Sequence, residues 1–294
     1  MNTKKQNVLV AAQKLFIEKG FRSTTVNDII EEANISKGTF YNYFSSKNEC
    51  IIAILENARH ETMIKRREVH AQQNSSDINV LSKQMSIRFI VFQQHNLIPL
   101  FASIINSQDV DLRDLIKLNY LEEISWLSSR LVDVFGEHTK KVSVDCAVLA
   151  LGMIQQLQHP WIKQSANISF DQIIHFTLRR IKTIINDMAN TNDFMLSSSF
   201  IKLSTVTSSV TKDHVIELLE NFYLEEKESF SPNIIQAVKF VMEELSTETP
   251  RIFLLENIIP ALTESFKGSQ LETKSTVIIY KLWTLIDGWK VGQA

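Results

Sequence analysis

The chain has 294 residues, enough for two or three domains, and 44% hydrophobic residues, enough for a sizeable core. Seven glycines and five prolines are few for this length, which excludes a turn-rich sheet protein and favours long helices. The net charge of −2 excludes a polycation, but residues 1–67 hold eleven Lys/Arg against seven Asp/Glu, so a mildly basic head precedes an acidic body.

In chain order, Val8, Ala11, Ala12, Leu15 and Phe16 form one apolar stripe at helical spacing, and Gly20 is a stop signal. The basic start runs into this amphipathic pattern with no small-residue cleavage site, so it reads as a helix rather than a signal peptide. Thr25 and Asp28 form a T-x-x-D capping box that opens a second helix with Val26, Ile29, Ile30 and Ala33 on its stripe. Asn34 tolerates the left-handed backbone of a tight turn, and Ser36 is an N-cap for a third helix whose Phe40 and Phe44 point inward. Ser46 and Glu49 suggest another capping box, opening a long helix through Ile51, Leu55 and Ala58 toward Arg67. Three short helices with a tight turn before the third form a helix-turn-helix head.

Beyond the polar break at 72–77, helical patterns are expected near 78–95, 97–107, 109–136, 143–160 and 169–189. A polar linker at 190–193 leads to further segments near 200–208, 212–228, 232–246, 250–267 and 271–289. Ser231-Pro232 is a start signal, while Pro260 is expected to kink or split its helix. No apolar run reaches the ~18 residues of a membrane span. Cys50 and Cys146 lack paired spacing and read as reduced, buried thiols, so the expected compartment is the cytoplasm.

The stretch 36–44 carries the functional signal. Its outward set, Lys37, Gly38, Thr39, Tyr41, Asn42 and Tyr43, contains poor helix formers where a solvated face takes Glu, Lys, Gln or Ala. These residues suit the DNA major groove. Gly38 permits close backbone approach, the Thr39 methyl suits a thymine methyl, Asn42 can pair with adenine, and Lys37 can reach guanine or phosphate. Tyr41 and Tyr43 can donate to phosphate oxygens, as can Thr25 at the start of the second helix. Lys47 and the backbone N–H groups after Ser46 suit another phosphate.

Residues 8–58 resemble the N-terminal domain of the tetracycline-repressor (TetR/AcrR) family of bacterial transcription regulators. The motifs are A-x-x-L-F-x-x-K-G-F at 12–21, T-T-V-x-x-I at 24–29, A-N-I-S-K-G-T-F-Y-N-Y-F at 33–44 and S-K-x-E at 46–49. The resemblance implies an all-α fold. It comprises a DNA-binding domain at 1–47 and a larger helical dimerisation and ligand-binding domain at 48–190; the helical patterns beyond add a further subdomain at 191–294 that the resemblance does not cover. It also implies a recognition helix at 36–44 with phosphate contacts at Thr25, Tyr43 and Lys47. A homodimer through helices 143–160 and 169–189 would favour a pseudo-palindromic operator, from which a small lipophilic or cationic ligand releases a repressor. Asn34 stands where the family more often has Gly, and Cys50 where an apolar residue is common.

Phe89, Phe92, Phe101, Tyr120, Trp126, Gln155 and Trp161 are candidate ligand-lining residues, although ordinary core or dimer surface explains each as well. His95, His138, His159 and His175 lack metal-ligand spacing, so no metal site, no cofactor and no enzymatic centre is expected. The chain from about 200 is more than a single-pocket member of the family needs. A ligand-independent architectural or protein-partnered regulator, using that tail as an interaction module, remains the alternative.

Overall fold

A computed structural model describes residues 3–71, 73–104, 110–159, 168–196, 211–267, 269 and 271–292. Every regular element among them is helical. The chain divides into two compact units, Val8–Thr207 and a second made of Met1–Asn7 with Ser208–Ala294.

The first unit begins with the part of α1 (Thr3–Glu18) from Val8 onward, followed by α2 (Val26–Glu32) and α3 (Lys37–Tyr41). The α1 stripe is buried as its spacing requires, with Val8, Ala12, Leu15 and Phe16 all at 5% exposure or less. Ile29 of α2, Phe40 of α3 and Phe44 are buried as well. Helix α4 (Lys47–Ala71) then runs beyond Arg67, where the sequence pattern fades. At about 1.5 Å per residue its 25 residues span roughly 37 Å.

The body follows with α5 (Ile78–Gln94), α6 (Leu97–Ile104), α7 (Val110–Phe135), α8 (Ser143–Leu157) and α9 (Phe170–Thr191). Its core gathers Leu81, Ile124, Leu127, Leu131, Cys146, Ala147, Ala150, Ile174, Leu178 and Ile181 from α5, α7, α8 and α9. Ser169 and Gln172 close a capping box at the start of α9, and Asn192, at φ +53°, ends it in the left-handed conformation. Asp145 of α8 accepts the backbone N–H groups of Met195 and Leu196, which pins the chain leaving α9. Both cysteines are buried and unbridged. Burial, aided by Asp145, pushes the Cys146 thiol up to about 12, so it stays protonated and unreactive at neutral pH.

A polar network joins α4 to the body. The Arg66 guanidinium grips Glu123 of α7 with two hydrogen bonds of 2.9 and 2.6 Å, and Arg88 of α5 approaches the same carboxylate at 3.0 Å. Arg66 and Gln84 of α5 also exchange side-chain-to-backbone hydrogen bonds of 3.0 and 2.9 Å. Arg130 of α7 donates to the Gln84 amide oxygen and to the Ser75 carbonyl. The Arg66 guanidinium lies 3.5 Å from the centre of the Trp126 ring. Burial alone would raise the Glu123 carboxyl, but Arg66 and Arg88 bring it down to about 2.

In the second unit, α10 (Lys212–Glu226), α11 (Pro232–Ser246), α12 (Ile252–Phe266) and α13 (Glu272–Gly292) pack each on the next, and α13 closes on α10. Phe222, Phe230 and Phe266 cluster with centroids 5.3–5.7 Å apart. Ser231 caps α11 ahead of Pro232, as the sequence signals. Helix α12 runs unbroken through Pro260, where a split was one expectation, because Leu255, Ile259 and Leu262 bury its inner face. The predicted segment 200–208 lies outside the described residues.

Glu123→Gln is expected to lower unfolding free energy by roughly 3–5 kcal/mol, because it strands buried cations. The folded pKa is depressed below the ordinary 4.5, so the charge contribution is complete above that value and is lost as pH falls through about 2. Urea titrations at several pH values check both effects: the variant's stability should fall less steeply with acid across this window.

Candidate nucleic-acid interface

The α2–turn–α3 unit is built by local hydrogen bonds. The Thr25 hydroxyl accepts the Asp28 N–H at 3.1 Å, and the Asp28 carboxylate accepts the Thr25 N–H at 2.8 Å. These bonds, led by the Thr25 N–H and helped by Lys19, hold the Asp28 carboxyl at about 2. Asn34 takes φ +50° and ends α2, as its residue type allows. Ile35 then donates its N–H to the Ile30 carbonyl at 3.2 Å, which turns the chain toward α3. Ser36 accepts the Thr39 N–H at 3.1 Å, and the two hydroxyls lie 2.9 Å apart.

Helix α3 is only five residues long, but the Tyr43 and Phe44 N–H groups both bond the Phe40 carbonyl and extend the turn. Phe40 is wholly buried. Lys37, Gly38, Tyr41 and Asn42 are exposed, and Thr39 and Tyr43 are half-buried, so the predicted outward set shares one end of the head. Tyr41 is 49% exposed while its ring edge rests on Phe40 at 5.4 Å, which orients it outward. A Cβ added at Gly38 would meet only the Ser36 hydroxyl, at 3.9 Å. Packing within the chain therefore does not require glycine there.

Lys47 has partners within the chain. Its ammonium donates to the carbonyls of Phe21, Arg22 and Thr24 at 2.7, 3.2 and 2.8 Å, and stands 4.7 Å from the Phe21 ring centre. Burial lowers its pKa below the ordinary lysine range. Ser46 accepts the Glu49 N–H at 3.3 Å, and the Glu49 carboxylate accepts both the Ser45 N–H and hydroxyl.

Phe89 stacks on Phe170 at 4.1 Å. Phe92 lies near Arg88, Trp126 lies under Arg66, Tyr120 is 46% exposed and Gln155 is exposed. Trp161 and the Phe101 side chain lie outside the described residues. An open apolar hollow of about 560 Å³ lies instead on α8 and α9, formed chiefly by Val148, Leu149, Gly152, Met153, Leu157 and Phe176. Sequence reasoning missed Arg66, Gln84 and Glu123. Arg66 did carry a signal: it continues the buried stripe Ile51, Leu55, Ala58 and Thr62 of α4, where a charge needs a buried partner.

These features define a helix-turn-helix DNA-binding transcriptional regulator. Residues 8–54 match the family model for bacterial regulatory proteins of the tetR family. The match is to the head domain alone. The uncharacterized HTH-type transcriptional regulators YerO and YuxN of Bacillus subtilis are 22% and 26% identical to it, over 89% and 90% of this chain and 90% and 94% of theirs. Residues 191–294 are about a third of the chain, so alignments omitting about a tenth must include most of that tail. The HTH-type transcriptional repressor KstR2 of Mycobacterium tuberculosis is 38% identical over 55 residues, covering 19% of this chain and 28% of its own. No solved structure matches the chain significantly. No helix among the described residues is long and apolar enough to cross a membrane.

Proposed function

We propose that the protein is a homodimeric repressor that reads a pseudo-palindromic operator with α3 and leaves it when a small lipophilic or cationic molecule binds. The outward face of α3 carries this reading. Lys37, Gly38, Thr39, Tyr41 and Asn42 stand together on a helix that Phe40 anchors from behind. Laid in the major groove, that face sets Lys37, Thr39 and Asn42 against base edges. Thr25, Tyr43 and the first backbone N–H groups of α4 at Lys47 take phosphates. In this reading 1–47 is the DNA-binding domain, 48–190 the dimerisation and ligand-binding domain, and 191–294 an added helical subdomain.

The hollow on α8 and α9 supports the dimer. Leu149 and Phe176 are 42% and 44% exposed on two helices whose other faces bury the body core. A two-fold partner covers such a face. The competing reading is a ligand-independent regulator that uses 191–294 as an interaction module. The exposure of Tyr120 and Gln155, and the engagement of Phe89 by Phe170 and of Trp126 by Arg66, support it. A thermal-shift screen of cationic and lipophilic compounds, paired with a duplex-release assay, decides between them. A compound that both stabilises the protein and frees the duplex supports ligand release.

Gly38→Ala is expected to leave stability unchanged or raise it by up to about 1 kcal/mol, since a helix prefers alanine and the added methyl has room. Its affinity for a duplex selected from a random library should nonetheless fall roughly tenfold. Unchanged affinity would remove the close approach from the account. Phe176→Glu should raise the dimer dissociation constant by at least roughly tenfold, about 1.4 kcal/mol, in sedimentation velocity. A dimer indifferent to that charge would move the interface elsewhere.

A further inference from the structure

We propose that the helical tail is a second input to the DNA-binding head, acting through α1. The tail holds the first turn of that helix, and the head holds the rest. The inference rests on the reading of the head as the part that binds DNA.

The boundary between the two compact units falls inside α1. Residues 3–7 group with Ser208–Ala294, whereas Val8 onward belongs to the first unit. No glycine or proline interrupts the 16 residues of this helix, which span roughly 24 Å as one rod. Charge favours the hold. Residues 1–7 carry Lys4 and Lys5 and no acid, while residues 208–294 carry thirteen Asp/Glu against eight Lys/Arg. The tail is itself knit into one body. The Phe222 ring of α10 meets the Phe266 ring of α12 at 5.5 Å, and Lys274 of α13 binds Glu225 and Glu226 of α10. On the head side, Val8, Ala12, Leu15 and Phe16 are buried, and Lys14 and Lys19 reach Glu32 and Asp28 of α2 at 2.6 and 3.0 Å. Asp28 closes the capping box of α2 with Thr25. A shift of the tail thus reaches α2 along α1, by a route that does not use α4.

The test uses the full chain and a duplex selected from a random library. In a helix the N–H groups of residues 8–10 bond the carbonyls of residues 4–6. Their hydrogen exchange in the wild type should lie within about tenfold of that at 12–16, whereas a helix end that nothing holds frays and exchanges far faster. Phe266→Ala opens a cavity in the tail bundle. It should raise exchange at 8–10 at least tenfold, leave 12–16 unchanged and shift duplex affinity at least threefold. Asn7→Pro cuts the rod at the boundary, since proline suits a first helical position but denies the Thr3 carbonyl its N–H partner. In that background Phe266→Ala should leave affinity unchanged. Exchange at 8–10 that is already fast in the wild type, or that Phe266→Ala does not move, overturns the hold. An affinity that Phe266→Ala leaves alone overturns the input to the head, and a shift that persists in Asn7→Pro overturns the route through α1. Should the wild type select no duplex, the DNA reading fails, and exchange alone decides the hold. Should either variant fail to fold, the milder Lys274→Met and Asn7→Gly take their places, with the same outcomes.

Discussion

The structure of the first unit turns on one long helix fixed by cations at two depths. Near its start, the Lys47 ammonium closes the α1–α2 loop. Toward its end, the Arg66 guanidinium is buried against Glu123, Gln84 and Trp126. A buried ion pair contributes little net stability over an apolar substitute, but a half-removed pair costs much. The network therefore specifies one register of α4 against α5 and α7. Arg59 adds a third tie through Glu122 at 2.6 Å, and the Gln13 amide reaches the His95 carbonyl from α1 at 2.6 Å. Directional polar contacts thus tie α1 and α4 to the body.

Much of this was legible in the residues. The helical periods, the caps at Thr25, Ser36, Ser169 and Ser231, and the left-handed turn at Asn34 follow from short-range chemistry. Short-range chemistry is what a single sequence exposes. The outward face of α3 was legible for the same reason: a five-residue helix with one buried Phe leaves little choice of orientation.

Long-range partners were not legible. Lys47 reads locally as a cation at a helix start, and only the fold brings the carbonyls of residues 21–24, more than twenty positions earlier, onto it. Arg66 and Glu123 are 57 residues apart. The stacking of Phe89 on Phe170 and the Arg66 guanidinium over Trp126 carry no local signal either, because aromatic side chains on helices serve core, stacking and surface alike. Pro260 shows the same limit in the other direction, since the packing of α12 overrides a strong local breaker.

A regulator built this way separates two tasks. In the function proposed above, the short α3 presents chemistry to the groove, and the long α4 sets where that chemistry stands. Hydroxyl-radical footprinting on the duplex selected by the full chain tests this account most directly. Two protected half-sites centred about 10 base pairs, ~34–36 Å, apart, both abolished by replacing the outward residues of α3, are the predicted result. A single protected site, or protection that survives the loss of the α3 face, would contradict it.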